Sequence, residues 1–149
     1  MSVEEENKAH YRAFVAELNK GNIDGVDEFF APDYEEHSAP PGAPPGVETI
    51  KMVFRMFRGA FPDVVFTVTD LVAEGDKLCT YVIGEGTHEG PFMGVPASGK
   101  HARWAAFGIN RYVDGKIKEH WGLPDLMGLM TQIGAIPPPP GPGGPPPAE

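Results

Sequence analysis

The chain has 149 residues, 41% of them hydrophobic, and a net charge of −9, which is the composition of one acidic folded domain. Negative charge without a dense Lys/Arg cluster argues against binding to nucleic acid or to anionic membranes. The single cysteine, Cys79, excludes an intramolecular disulfide, and the acidic N-terminus lacks the pattern of a signal peptide, so we predict a soluble cytoplasmic protein.

The N-terminal stretch is predicted to form two helices. Ser2 and Glu5 match the S-x-x-E capping box, in which each side chain bonds the backbone N–H of the other residue. From Tyr11 onwards apolar residues recur at i, i+3, i+4 and i+7, so residues 2–20 should form a helix with one buried face. A short second helix is expected over residues 23–30.

A proline-rich stretch, residues 31–46, separates these helices from a third. Its five prolines disfavour a helix and a central strand, so we predict a long loop, and long ordered loops often carry function. Residues 47–60 then resume the helical period and end before Pro62. The predicted buried stripe of this helix is Val47, Ile50, Val53, Phe54 and Phe57.

From residue 64 the apolar period changes to two, which predicts strands. The strands should form an antiparallel meander, with Asp-Gly at 114–115 as a strong hairpin signal. Pro124 fits the first turn of a short final helix that Gly134 would close. Helices segregated from an antiparallel sheet predict the α+β fold class. The predicted strands are 64–73, 78–88, 101–113 and 116–123.

The last 13 residues, 137–149, contain 8 prolines. Such a stretch cannot bury a core, so we predict a disordered, polyproline-like tail. The folded domain would then span residues 1–136.

Four stretches of the chain carry a family resemblance: YEEHSAPPGAPPGVETIKMVFRMFRGAFPD (34–63), GTHEGPFMGVPASGK (86–100), INRYVDGKIKEHW (109–121) and PDLMGLMTQIG (124–134). In this order they resemble the SnoaL-like polyketide cyclases, or ester cyclases, of the NTF2-like superfamily. The resemblance implies a cone, in which N-terminal helices pack on a strongly curved antiparallel sheet and enclose an apolar cavity. It also implies a homodimer through the sheet and catalysis without a metal or organic cofactor.

The resemblance further implies a reaction and a catalytic residue. In the family's cyclases one aspartate near the end of the last strand removes a proton from a polyketide ester, and the enolate closes a ring by intramolecular aldol addition. Asp125, four residues after Trp121, matches that aspartate. We therefore predict an acid/base enzyme whose partner is a small, mostly apolar carbonyl compound.

Two interpretations of Asp125 stay open on the residues alone. At the start of a helix, the helix dipole would stabilise it as a carboxylate and its role would be structural. In an apolar pocket formed by Trp121, Leu123 and Met127, desolvation would favour its protonated form, as suits a group that transfers protons.

Further residues are candidates to line the substrate cavity. Successive strand residues face opposite sides, and if no bulge intervenes Trp121 shares its side with Leu123 and Asp125. We therefore expect Trp121 to line the cavity and His120 to face another layer. Each candidate could instead be ordinary core or surface. The others are Trp104 as an aromatic wall, Arg103 and His88 as polar contacts, Phe92 and Met93 as lid residues, and Tyr11.

His37, in the proline-rich stretch, is the second catalytic candidate. An imidazole at the cavity mouth could stabilise an enolate oxygen, although a surface loop histidine is equally compatible with the sequence. His88 and His101, joined by His37 or His120, could resemble a three-histidine zinc site. No tight ligand spacing supports that set, and we predict no metal.

Two other functions stay open. An enzyme like the superfamily's epoxide hydrolases would need a held water and an arginine that bridges Asp125 and a second carboxylate, with Arg103 and Asp70 or Glu119 as candidates. An isomerase-like enzyme of the superfamily is a related alternative. A non-catalytic dimer that binds small molecules is the other alternative, and a solvent-facing Asp125 would favour it.

Overall fold

The computed structural model describes residues 1–138 and 140–142. The chain runs through a long helix, a 3₁₀ helix, an edge strand, a second helix, four further strands and a short helix. Their bounds are α1 Val3–Asn19, the 3₁₀ helix Asp24–Phe29, β1 Phe30–Glu36, α2 Val47–Ala60, β2 Val65–Glu74, β3 Lys77–Thr87, β4 His101–Val113, β5 Lys116–Pro124 and α3 Leu126–Gln132.

The first two α-helices form where the helical period predicts them. The capping box of α1 is complete: Glu5 N donates to Ser2 Oγ at 3.2 Å, and Ser2 N donates to Glu5 Oε2 at 3.0 Å. On α2, Ile50 is buried as predicted. Lys51, which lies outside the predicted buried stripe, is also buried, and its ammonium group reaches the Asp27 carboxylate at 2.7 Å.

The strands form a single open sheet in the order β1-β5-β4-β3-β2. Strands β2 to β5 pair antiparallel, as predicted, whereas β1 pairs parallel to β5. The prediction of a loop over 31–46 is therefore wrong for residues 31–36, which continue β1. Pro32 is compatible with β1 because an edge strand leaves one side of its backbone unpaired.

The sheet has two unlike faces. We call the face against which α1 and α2 pack the inner face, and the opposite one the outer face. On β4, buried Trp104 and Tyr112 point to the inner face, whereas exposed Phe107 and Ile109 lie on the outer face. Two clusters form the core: one includes Phe14, Val26, Phe30, Leu78 and Tyr112, and the other includes Phe57, Phe61, Trp104, Leu129 and Ile133.

A β-bulge in β5 decides which face each of its side chains takes. Lys118 has no partner on β4, although Ile117 and Glu119 on either side of it do. Strict alternation from buried Ile117 would put Trp121 on the inner face, and the extra residue reverses this. The prediction that Trp121 faces inwards and His120 outwards is therefore wrong. The partners on β4 are Tyr112 for Ile117, Arg111 for Glu119, Asn110 for His120 and Ile109 for Trp121.

The C-terminal helix starts slightly later than predicted. Pro124 is the last residue of β5, and Asp125 is the N-cap of α3. Gly134, with φ of 83°, follows the C-cap, as predicted. Among the described residues, no helix has the length and hydrophobicity needed to cross a bilayer. Residues 139 and 143–149 of the predicted tail lie outside the described residues.

Candidate active site

Three hydrogen bonds hold a carboxylate on the inner side of β1. Glu36 Oε2 accepts from His120 Nδ1 at 2.6 Å and from the Tyr34 hydroxyl at 2.5 Å, and Oε1 accepts from the Ser38 N–H at 3.0 Å. Burial raises the pKa of Glu36, but the bonds from His120, Tyr34 and Ser38 outweigh burial, so the pKa lies below its ordinary value. Glu36 is therefore a largely buried anion, with 8% of its side chain exposed.

The imidazole of His120 lies over two glycines that face each other, Gly108 on β4 and Gly122 on β5. A Cβ at either glycine would lie 2.8 Å from His120 Nε2, closer than Cβ atoms approach other atoms, so the ring fits because both side chains are absent. The same Cβ position at Gly108 is 3.2 Å from Thr80 Oγ1. Nε2 and the Thr80 hydroxyl therefore border one small space above the sheet.

Two tyrosines add protonated hydroxyl groups to the interior near this space. Burial raises the pKa of Tyr11 to about 12, against an opposing effect of the nearby Thr80 hydroxyl. Burial also raises the pKa of Tyr112, whose hydroxyl lies 3.1 Å from His10 Nδ1. Both phenols therefore remain hydrogen-bond donors near neutral pH. Tyr11 lies inside the fold, and its predicted contact with a ligand stays a prediction.

Asp125 begins α3, as the helix-start interpretation predicts. Its Oδ1 accepts a hydrogen bond from the Gly128 N–H at 2.9 Å, and its backbone N–H donates to Ala105 O at 2.8 Å. The side chain is exposed, and the predicted apolar pocket around it does not form: Leu123 is 79% exposed and Met127 69% exposed. Asp125 is thus a solvent-accessible carboxylate at the end of the strand that carries His120.

Trp104 and Phe92 are buried in one of the two core clusters. Trp104 stacks on Phe57 with 5.5 Å between ring centroids and contacts Phe61 at 4.9 Å. Phe92 is fully buried against Phe57 and Phe61, so the predicted lid role of Phe92 is wrong, while Met93 beside it is exposed. Any ligand contact of Trp104 or Met93 stays a prediction.

His88 is completely buried in the same region of the fold. Its Nδ1 lies 2.8 Å from Ser98 Oγ and 3.1 Å from the Ser98 N–H, so His88 joins the two ends of the loop between β3 and β4. Its Nε2 is buried without a hydrogen-bond partner among the described residues. Arg103 is exposed on β4, and its backbone exchanges two hydrogen bonds of 2.8 Å with the Gln132 side chain.

His37 lies on the outer side of β1, away from His120. Its ring stacks on Trp121 with 4.5 Å between centroids and a 6° angle, and Nε2 lies 3.1 Å from Glu119 Oε1. Arg111 pairs with the other oxygen of Glu119, and these bonds lower the pKa of Glu119. The His37 ring thus contacts residues of the outer face, while His37 also lines the pocket described below, and its predicted catalytic role stays a prediction.

Two alternative sites from the sequence find no counterpart in the described part of the chain. Ligand atoms close enough for a metal ion, within 4.8 Å of one another, occur at Glu35, His37 and Glu119, and not at the predicted histidine set. Among the described residues, no ion pair joins Asp125 to an arginine and a second carboxylate. Glu119 pairs instead with Arg111 and His37, and Asp70 bonds the adjacent Leu71 N–H.

A pocket of about 360 Å³ opens between β1, the proline-rich loop and the start of α2. Its wall includes the Tyr34–Glu36 pair and Thr49, whose buried hydroxyl has no hydrogen-bond partner among the described residues. The pocket is mixed in polarity and open to solvent. An enclosed apolar cavity stays a prediction.

The sequence contained a signal for this site that the strand pattern hid. Glu36 lay in a stretch predicted as loop, and His120 was assigned to the wrong face. The glycines at 108 and 122 were the available clue, because a glycine inside a strand often marks the close approach of another group.

Comparisons with known proteins agree with this architecture. The pattern of the SnoaL-like polyketide cyclase family matches residues 8–133. The nogalonic acid methyl ester cyclase of Streptomyces nogalater is 28% identical over 122 residues, covering 80% of this chain and 91% of that protein. The aklanonic acid methyl ester cyclase DauD of Streptomyces sp. strain C5 is 31% identical over 130 residues, covering 83% and 78%.

A solved structure shows the same α+β arrangement of helices on a curved, open sheet. TsrD from Streptomyces laurentii superimposes with a TM-score of 0.82 at 29% identity, covering 91% of this chain and 100% of that one. Family pattern, enzyme relatives and fold agree over nearly the same residues. The chain belongs to the SnoaL-like polyketide cyclase family.

Proposed function

We propose that this protein is an ester cyclase that closes a ring in a polyketide methyl ester. The observation that carries the proposal is its alignment with two methyl ester cyclases over 80% and 83% of the chain. The substrate would be a polycyclic, mostly apolar compound with an acidic C–H next to an ester and a ketone within reach. Intramolecular aldol addition is an isomerisation, so its atoms balance without an oxidant or reductant.

Asp125 is the proposed acid/base group. As a carboxylate it would accept the proton from the carbon next to the ester, and the enolate carbon would then bond to the ketone carbon. In the resting structure the Gly128 N–H donates to one oxygen of Asp125 at 2.9 Å, and the exposed side chain can be reached by a ligand. Nothing in this step requires a metal ion.

The test is turnover of aklanonic acid methyl ester by the purified protein, followed by chromatographic separation of the isomeric product. Asp125→Asn keeps a side chain that caps helices as well as aspartate does, so the fold should survive. We expect its kcat to fall by about 100-fold or more, as for loss of a general acid/base group. Asp76→Asn, in the exposed turn between β2 and β3, is the matched control and should behave as the wild type.

A binding module without catalysis is the second candidate, because Asp125 is exposed in the free chain. It would be favoured if the wild type bound the ester and left it unchanged. Full activity in Asp125→Asn would instead leave the cyclase function in place and remove Asp125 as the acid/base group.

A further inference from the structure

The proposed function leaves the Glu36–His120 pair without a role. Burying a carboxylate lowers the stability of the fold unless the ion is well paired, because the charge is removed from water. The pair lies on the inner face, beside the space bordered by Thr80 and the two glycines. It therefore has the position and the polarity of a functional group.

Glu36 determines which nitrogen of His120 carries the proton. An ionised carboxylate can only accept hydrogen bonds, so Nδ1, at 2.6 Å, must be the donor. Nε2 is left over, and it makes no hydrogen bond to any residue in the described part of the chain. The His120 side chain is 28% exposed, and we infer that a ligand on the inner face would contact it through Nε2.

The ring also leans along β5 towards Asp125. Nε2 lies 2.8 Å from the position of a Cβ on Gly122, two residues further along the strand. From Gly122 to Asp125 is three residues, roughly 10 Å at the rise of an extended chain. Trp121 and Leu123, which alternate with Asp125, face the other side of the sheet, so one polycyclic ligand would meet both groups only around the end of β5.

We propose that His120 is a second catalytic residue in ring closure and that Glu36 is its positioning residue; this rests on the proposed cyclase function. When the enolate carbon bonds to the ketone carbon, the ketone oxygen becomes an alkoxide. The imidazolium form of His120 gives its Nε2 proton to that oxygen. Asp125, which took the proton from carbon, returns it to His120 through solvent, so the enzyme is restored.

Few other titratable groups near His120 could account for a pH dependence of the reaction rate. From β1 it is faced by Glu36 and Tyr34, and from α1 Tyr11 reaches the neighbouring Thr80. Burial raises the pKa of Tyr34 and brings that of Tyr11 to about 12, so both stay neutral across the range of an enzyme assay. The anion of Glu36 persists because its pKa is lowered.

The decisive experiment is the pH dependence of kcat in wild type, His120→Gln and Glu36→Gln, with aklanonic acid methyl ester as substrate. We expect His120→Gln to lower kcat by about 100-fold or more, to leave KM within a few-fold, and to abolish the decline of rate on the alkaline side. Glu36→Gln keeps the ring but frees its tautomer, so we expect a smaller loss of kcat and a mixed Nδ1/Nε2 signal in ¹⁵N NMR.

His101→Gln is the matched control, because His101 also pairs with a glutamate, Glu85 at 2.8 Å, but on an exposed site. It should leave both kcat and the pH profile unchanged. If His120→Gln does not fold, Glu36→Gln decides through its pH profile and its ¹⁵N spectrum. An active wild type with unchanged kcat and pH profile in the folded variants would overturn the role of His120 alone. A wild type that turns over no polyketide methyl ester would overturn both proposals.

Discussion

Gly108 and Gly122 show how missing side chains create a site. A glycine inside a strand is normally unfavourable, because it has more backbone freedom to lose and nothing to pack. Here the space that two side chains would have filled is taken by the His120 ring, which in turn fixes Glu36. The two glycines and the buried carboxylate, each of which lowers the stability of the fold, thus lie together at one site on the inner face.

We expect Glu36 to make the stability of the fold depend on pH. Its pKa in the folded protein is below the ordinary value of 4.5, so folding favours the ionised form. This stabilisation is complete above that ordinary value and is lost as pH falls through the lower, folded value. Urea unfolding should show a steep loss of stability on acidification that Glu36→Gln makes shallower.

At neutral pH, Glu36→Gln should lower the free energy of unfolding by about 1–3 kcal/mol, because the amide cannot accept hydrogen bonds from His120, Tyr34 and Ser38 as a carboxylate does. Glu35→Gln, on the same strand but exposed, is the control and should keep the wild-type acid profile. A Glu36→Gln variant that loses as much stability on acidification as the wild type would show that Glu36 titrates alike in the folded and unfolded states.

The alternating pattern of apolar residues predicted where strands form better than it predicted which face of the sheet their side chains take. β4 has the predicted bounds, and β5 differs by one residue, because alternating apolar residues and the Asp-Gly turn define them. Orientation in β5 failed at Lys118, since a bulge leaves no mark in the periodicity and reverses every residue after it. β1 was missed because the prolines of residues 31–46 indicated a loop, and because its partner, β5, lies about 85 residues away in the chain.

The start of α3 offers a test of how tightly Asp125 is held. Glycine to alanine in a helix usually adds about 0.5–1 kcal/mol of stability. At Gly128, however, the new Cβ would lie 2.2 Å from Asp125 Oδ2, so the carboxylate must rotate and lose its cap bond. Because a lost cap costs about 0.5–2 kcal/mol, Gly128→Ala should change the melting temperature little but lower cyclase activity.

Gly59→Ala in α2 is the control for that substitution. Its Cβ would meet no atom within 4 Å, so the variant should be more stable than the wild type and equally active. Thermal unfolding and turnover of the ester would be measured for both. Wild-type activity in Gly128→Ala would mean that Asp125 tolerates displacement, and a structural cap would then be its main role.

For the whole molecule, the order of helices and strands was enough to predict an α+β domain, and the resemblance of four stretches supplied the family. Neither could reveal the polar pair of the inner face, which depends on a bulge and on contacts between β1 and β5. The resemblance also implied a homodimer through the sheet. The free chain has a surface suited to it: apolar side chains that line the outer face of neighbouring strands.

We propose that this outer face forms the dimer interface. Phe107 and Leu123 are direct neighbours on β4 and β5, and they are 58% and 79% exposed. Exposed apolar clusters of this kind mark interaction sites, and an unpaired charge at the centre of such an interface is strongly destabilising. Phe107→Lys should therefore shift the protein from dimer to monomer in light scattering coupled to size-exclusion chromatography.

Val3→Lys, at an equally exposed apolar residue of α1, should leave the mass unchanged. A wild type that is monomeric at every concentration tested, or a Phe107→Lys variant that remains dimeric, would assign the contact to another surface.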